Sequence, residues 1–289
     1  MTHEQLRVTR ISPALWRVAF DAPPLNLIGP RMVVELRELL DELETDPLVS
    51  VVVFESAVED YFLAHWDIAA DPELVNALPD GPTGYHPWVD ILIRLSRVPA
   101  ITISSIRGRA RGAGSEFVLA TDIRFASREK AILGQFEIGT GAVPGGGTPS
   151  RLPRLVGRGR ALEILVSAGD YDGDLAERYG YVNRALPDTE LDAFVTAFAE
   201  RVSRFDLRAL QEVKAFVNQA SLAPDDEFPA QMEAFWVSVS RPETQNRAGQ
   251  LFARGLQQAS ETELELGAAL GELEVPAQPP RSGNGTARR

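Results

Sequence analysis

Ile103-Ser-Ser-Ile-Arg-Gly-Arg-Ala-Arg-Gly-Ala-Gly-Ser-Glu-Phe-Val-Leu-Ala-Thr-Asp-Ile-Arg-Phe-Ala-Ser-Arg-Glu-Lys-Ala-Ile-Leu133 decides how the rest of the chain is read. A buried strand stops at a glycine-rich turn, restarts as a short helix carrying Ser115 and Glu116, and returns through a second strand from Asp122 to Ala126. Small residues in such a turn let backbone N–H groups approach a ligand, and the helix adds the positive end of its dipole at the same place. Developing negative charge on a ligand oxygen is stabilised there, which makes the turn a candidate oxyanion site. Its spacing, G-x-A-x-G-A-G, matches neither the lysine-bearing phosphate loop nor the dinucleotide fingerprint.

Composition bounds the chemistry. The 289 residues suffice for a substantial core, and 44% apolar with 24% charged residues is ordinary for a globular protein. The chain has no cysteine, which removes disulfides, thiolate metal sites and cysteine nucleophiles. Three histidines, His3, His65 and His86, leave little for a metal centre, so no metal is expected. A formal net charge of −12 argues against nucleic acid as a partner. No apolar run reaches the roughly 20 residues of a membrane span, so no membrane partner is expected and the cytoplasm is the expected location.

On the N-terminal side, Leu6 to Phe20 alternates as a hairpin. Val33, Leu36, Leu40 and Leu43 mark an amphipathic helix over 31–44, and Val51 to Phe54 reads as a strand covered on both faces. Residues 71–86 read as loop. On the C-terminal side, Ala131 to Glu137 reads as a strand ending in a carboxylate, with a second glycine-rich loop at 139–147. Beyond residue 186 the chain turns helical, more an interface layer than an independent domain. The expected division is an α/β core over 1–186, a helical region over 187–273 and a disordered tail over 274–289.

Five ordered blocks carry a resemblance: Asn26 after the hairpin; Phe62-x-Ala64-x-x-Asp67; Gly108-x-Ala110-x-Gly112-x-Gly114-x-Glu116 with Leu119-Ala120-x-Asp122; Gly134-Gln-x-Glu137; and Pro144-Gly-Gly-Gly with Arg151-Leu152. From Val8 to Leu256 the chain resembles the crotonase, or enoyl-CoA hydratase/isomerase, superfamily. The resemblance implies a crotonase-like spiral of strand-strand-helix (ββα) repeats, with C-terminal helices that mediate oligomerisation as a homotrimer or hexamer. It implies an acyl-CoA thioester substrate, with coenzyme A part of that substrate and no separate cofactor. Carried over by position, the N–H groups of Trp66 and Ala113 form the oxyanion hole and Glu116 and Glu137 are the catalytic carboxylates. Pro24, Leu25, Ala64, Asp67 and Ile68 are the expected acyl-CoA contacts. The implied activity is hydration of a trans-2-enoyl-CoA, with a double-bond isomerase or a non-catalytic acyl-CoA-binding protein as alternatives.

Each residue also has a plainer reading. Glu116 lies where a helix dipole alone favours glutamate, and Glu137 where a loop carboxylate is unremarkable. Asp122 fits a turn-fixing role better than substrate contact. Arg107, Arg109 and Arg111 suit either a coenzyme phosphate site or salt bridges within an acidic protein. The chain departs from the family pattern at His65, usually glycine, at Trp66, usually small, and at Ala69, often a lysine that steadies the coenzyme phosphate. His65 is read as filling space, Trp66 as reshaping the acyl pocket, and His86 as an exposed loop residue.

Overall fold

The computed structural model describes residues 3–274. All but the first residue of the expected tail lies outside the described residues. The chain begins with the hairpin β1 (Leu6–Ser12) and β2 (Leu15–Phe20). Helix α1 (Pro30–Thr45) takes Pro30 in its first turn and buries Met32, Val33, Leu36, Leu39, Leu40 and Leu43. The next turn of chain is β3 (Val51–Ser56), β4 (Tyr61–Leu63), α2 (Pro72–Asn76) and α3 (Pro87–Arg97). It is followed by β5 (Ile101–Ile106), β6 (Arg109–Arg111) and α4 (Ala113–Ala120). A third turn comprises β7 (Ile123–Ser127), β8 (Ile132–Gly134), α5 (Glu137–Thr140), α6 (Thr148–Val156) and α7 (Arg158–Ser167). Then come β9 (Asp170–Asp172), α8 (Gly173–Tyr179) and β10 (Arg184–Leu186).

The strands sort into two sheets, one ordered β1-β2-β3-β5-β7-β10 and one ordered β4-β6-β8-β9. After the hairpin, the turns that begin with β3, β5 and β7 each lay one strand in each sheet, add helix and move one place along, which is the expected ββα spiral. Strand β3 shows why its four apolar residues run consecutively. Val52 and Phe54 enter the main core, while Val51 and Val53 enter a second core on the opposite face. Leu191, Val195 and Ala199 of α9 (Asp188–Val202) close that second core.

The glycine-rich turn is held from below by aromatic packing. Phe117 of α4 meets Phe20 and Phe54 edge to face at 5.2 and 5.1 Å, and Phe20 meets Phe62 at 5.4 Å. Every residue of α4 is buried, so the helix is apolar on all sides except at Ser115 and Glu116. Asn26 is a buried hub: its side chain accepts from Ala22 N–H at 2.7 Å and donates to Ser56 Oγ and the Phe62 carbonyl at 2.9 and 3.1 Å.

Two local expectations change. Residues 71–86 contain α2, because Asp71 accepts from Glu73 N–H at 2.9 Å and Pro72 suits the first helical position. Glu137 does not end a strand: β8 stops at Gly134, and Glu137 opens α5. Gly134, the last residue of β8, has no room for a side chain, which would meet the Gly169 carbonyl oxygen at 2.7 Å.

The remaining helices are α10 (Leu207–Ser221), α11 (Phe228–Val239), α12 (Pro242–Ala253), α13 (Glu261–Leu264) and α14 (Leu266–Gly271). Helix α10 is tied to the core by one buried cation. Lys214 Nζ donates to Asp122 Oδ2 at 2.7 Å and to the Ala100 carbonyl at 2.9 Å, while Thr102 donates its N–H and hydroxyl to the same Oδ2. Asp122 is therefore a structural tie, as its turn-fixing reading holds. Asp122→Asn leaves the lysine buried without a counter-charge, and denaturant unfolding is expected to record a loss of about 3 kcal/mol. The outward face of α10 exposes Val213, Phe216 and Val217, with Phe216 72% accessible.

Candidate active site

A cavity of about 570 Å³ opens where the two glycine-rich turns meet the C-terminal helices, and Trp66, Ile68, Ala113, Glu116 and Glu137 all line it. Its walls are largely aromatic, with Trp88, Phe136, Phe235, Trp236 and Phe252.

The first glycine-rich turn is held beside the segment that leads to Trp66, and against the end of β8, by backbone bonds. Arg111 N–H donates to the Ala64 carbonyl at 3.1 Å, and Gly112 N–H to the Gly134 carbonyl at 3.0 Å. Trp66 forms a bridge with Ile28: Ile28 N–H donates to the His65 carbonyl at 2.9 Å and Asp67 N–H to the Ile28 carbonyl at 2.8 Å. Alternation along an extended segment then points both polar groups of Trp66 away from Ile28. The Trp66 N–H meets no acceptor among the described residues, and neither does the Ala113 N–H in the first turn of α4.

Gly112 has φ +49°, and a Cβ there would stand 2.7 Å from the Phe136 ring and 2.9 Å from Glu137 Oε1. Glycine is required both by the backbone angle and by the closeness of the carboxylate. Gly114 packs still more tightly, since a Cβ would fall 2.0 Å from the Leu63 carbonyl oxygen.

The two carboxylates differ in their surroundings. Glu116 is buried, and its Oε2 accepts from the Trp88 indole N–H at 2.8 Å. Its Oε1 accepts from Gly146 N–H at 2.7 Å and more weakly from the Thr148 hydroxyl at 3.4 Å. Burial raises the Glu116 pKa; these donors and the charge of Arg151 oppose the rise without cancelling it. Glu137 is also buried, yet its Oε2 has no partner among the described residues. Burial first, and the neighbouring Glu116 second, push its pKa up to about 8. One carboxylate is thus anchored by donors, while the other is poised to hold a proton at neutral pH.

Not every expected contact reaches the cavity. Leu25 and Ala64 are buried with Tyr61 in a small cluster of their own, joined by Ala64 N–H donating to the Leu25 carbonyl at 3.3 Å. Pro24 is exposed on its loop. Asp67 accepts from Ala69 N–H at 3.1 Å and Gln257 Nε2 at 3.2 Å. These four residues do not line the cavity, whereas Ile68 does.

The three arginines resolve as salt bridges. Arg107 binds Asp188 and Asp192, Arg109 lies near Asp60 and Glu265, and Arg111 grips Asp170 through two bonds of 2.7 Å. His86 is not an exposed loop residue. It caps α3, accepting from Trp88 N–H at 3.3 Å, and lines the cavity; burial lowers its pKa. Among the described residues no three His, Asp or Glu side chains gather as metal ligands, and no helix is long and apolar enough to cross a membrane.

Sequence reading missed the donors to Glu116 and the aromatic wall from α11 and α12. The G-G-G run hinted at Gly146, where a Cβ would lie 2.1 Å from Glu116 Oε2. Trp88 carried no local signal, because its partner lies 28 residues away.

Residues 10–251 match the model of the family described as enoyl-CoA hydratase/isomerase. A probable enoyl-CoA hydratase of Mycobacterium bovis is 28% identical over 221 residues, 76% of this chain and 83% of the relative. The crystal structure of a candidate enoyl-CoA hydratase from Streptomyces avermitilis is 46% identical, with a TM-score of 0.90 over 95% of this chain and 99% of that one. An enoyl-CoA hydratase structure from Mycobacterium avium subsp. paratuberculosis, 21% identical, shares the fold with a TM-score of 0.76 over 90% of this chain and 99% of that one. The crotonase-type spiral and the family match agree, and the chain belongs to the enoyl-CoA hydratase/isomerase family.

Proposed function

We propose that this protein adds water across the double bond of a trans-2-enoyl-CoA. The observation that carries the reading is the presence, on one cavity, of two residues with unpaired amides and two buried carboxylates, one held by three donors and one with an unpartnered oxygen. The Trp66 and Ala113 N–H groups hold the thioester oxygen as it gains enolate charge, without any movable group. Glu116, fixed by three donors, takes a proton from water as its oxygen bonds to the β-carbon. Glu137 gives its proton to the α-carbon. Proton exchange between the two carboxyls restores the starting state. Coenzyme A arrives as part of the substrate, so the reaction calls for no separate cofactor.

The test is the loss of conjugated enoyl-thioester absorbance with purified protein, and ¹⁸O entering the product from labelled water. No turnover of short, long or aryl enoyl thioesters overturns the proposal. One observation favours double-bond isomerisation as a second reading. Both oxygens of Glu116 already have donors, leaving Glu137 as the freer proton carrier. In that case the double bond moves and no ¹⁸O is incorporated.

Trp88→Phe separates the roles. Losing a donor to a buried carboxylate raises the Glu116 pKa further. The acidic limb of the kcat/KM profile is expected to move to higher pH. The exposed apolar face of α10 fits the proposed homotrimer or hexamer, for which light scattering of the purified protein is the measurement.

A further inference from the structure

His65 stands at a turn where the resemblance leads one to expect glycine, and it is wholly buried. Its Nδ1 lies 2.7 Å from the Trp66 carbonyl and its Nε2 lies 3.1 Å from Glu263 Oε1. Glu263 is equally buried, and its Oε2 accepts from Gln257 N–H at 2.8 Å. Burial alone would raise the Glu263 pKa, yet the His65 contact and its other partners hold it below the usual carboxylate range. Both imidazole nitrogens thus face oxygen atoms, one the Trp66 carbonyl and the other the Glu263 carboxylate.

Gln257 completes the grip. Held at φ +61°, it donates from Nε2 to the Trp66 carbonyl at 3.3 Å and to Asp67 Oδ1 at 3.2 Å, and it accepts from Ala69 N–H at 3.1 Å. The same C-terminal segment reaches the second turn as well. Arg111, two residues before Ala113, donates to the carbonyls of Glu263 and Leu264, each at 2.8 Å. One short stretch of chain is therefore bonded to both turns, whose Trp66 and Ala113 line the cavity.

We infer that His65, Glu263 and Gln257 are positioning residues that orient the Trp66 peptide so that its N–H faces the cavity at a fixed distance from that of Ala113. The inference rests on the proposed oxyanion role of those amides. Ile28 secures the peptides on one side of Trp66, and this clasp secures its carbonyl on the other, so the N–H is the one backbone group of Trp66 left for a ligand. None of the three side chains touches the reacting atoms. Their effect belongs to the rate of the step in which the thioester oxygen gains charge.

The variants Glu263→Ala and His65→Ala are expected to lower kcat roughly tenfold to a hundredfold while KM changes by less than about threefold. Glu263→Gln recovers most of that loss. Its amide can donate to a neutral His65 Nε2 and still accept from Gln257 N–H, leaving His65 Nδ1–H on the Trp66 carbonyl. Gln257→Gly removes the side-chain bonds at a position whose backbone suits glycine, and is expected to lower kcat without lowering the unfolding midpoint. Hydrogen exchange supplies a readout that needs no turnover. Amides of residues 64–69 should exchange about tenfold faster or more in Glu263→Ala, with β1 and β2 unchanged. Unaltered exchange at 64–69, or a Glu263→Gln variant as slow as Glu263→Ala, overturns the inference. A wild-type protein without hydratase turnover whose 64–69 segment loosens in Glu263→Ala supports the clasp and sinks the hydration reading instead.

Discussion

Glu137→Gln is expected to lower kcat for hydration by about a thousandfold, because in the proposed reaction it removes the group that delivers the α-proton while preserving its shape. KM should move far less, since a buried carboxyl at the reacting end adds little to coenzyme recognition. In the parent protein, kcat/KM for hydration should fall as pH rises through about 8, where Glu137 loses its proton. In the reverse, dehydrating direction the same group must begin ionised, and the dependence inverts. The sign for stability follows from the same displacement. Glu137 titrates near 4.5 when solvated and near 8 when folded, so the folded state holds the proton more tightly. Its contribution is fully present below 4.5 and is lost progressively as pH rises to 8. Glutamine carries no such penalty, and Glu137→Gln should be more stable than the parent at pH 8 while nearly inactive. Thermal unfolding at pH 5 and pH 8 measures this; a variant with parental turnover removes Glu137 from the chemistry.

Gly114→Ala should damage rate and stability together. The added methyl would lie 2.0 Å from the Leu63 carbonyl oxygen, and backbone cannot swing aside as a flexible side chain does. Helix α4 must back away from β4, and Ala113 moves with it, because it is the preceding residue. A displacement near one ångström at an oxyanion donor costs on the order of a hundredfold in kcat. Overpacking adds about 1–3 kcal/mol of destabilisation. Steady-state kinetics below the unfolding transition separates the two effects. An active, parental-like Gly114→Ala protein would show that the close approach of α4 to β4 is dispensable.

The parts of this protein that were legible in its sequence are those whose physics is local. The Gly112 and Gly114 turn, the proline that opens α1 and the double-faced run Val51–Phe54 each declare themselves within a few residues. The two glutamates were singled out only through the family resemblance of their blocks, since each read alone had a plainer explanation; the structure brings both to one cavity. What escaped was set by distance along the chain. Trp88 reaches Glu116 from another helix, and nothing near Trp88 distinguishes an indole that caps a carboxylate from one that fills a core. His65 was read as filling space because its partner Glu263 is 198 residues away. Pro24, Leu25, Ala64 and Asp67 do not line the cavity: Leu25 and Ala64 brace the Trp66 turn from behind, Asp67 is bonded to Ala69 and Gln257, and Pro24 is exposed.

That 198-residue separation bears on how the molecule is born. The turn at His65 leaves the ribosome long before its fastener has been translated, so a nascent chain carries an unpaired imidazole and a loosely held peptide plane until synthesis is nearly over. Fastening therefore comes late: a chain ending before residue 263 would lack both the Glu263 partner and the packing of Leu266 and Leu270 against Phe136, and its Trp66 turn would be slack.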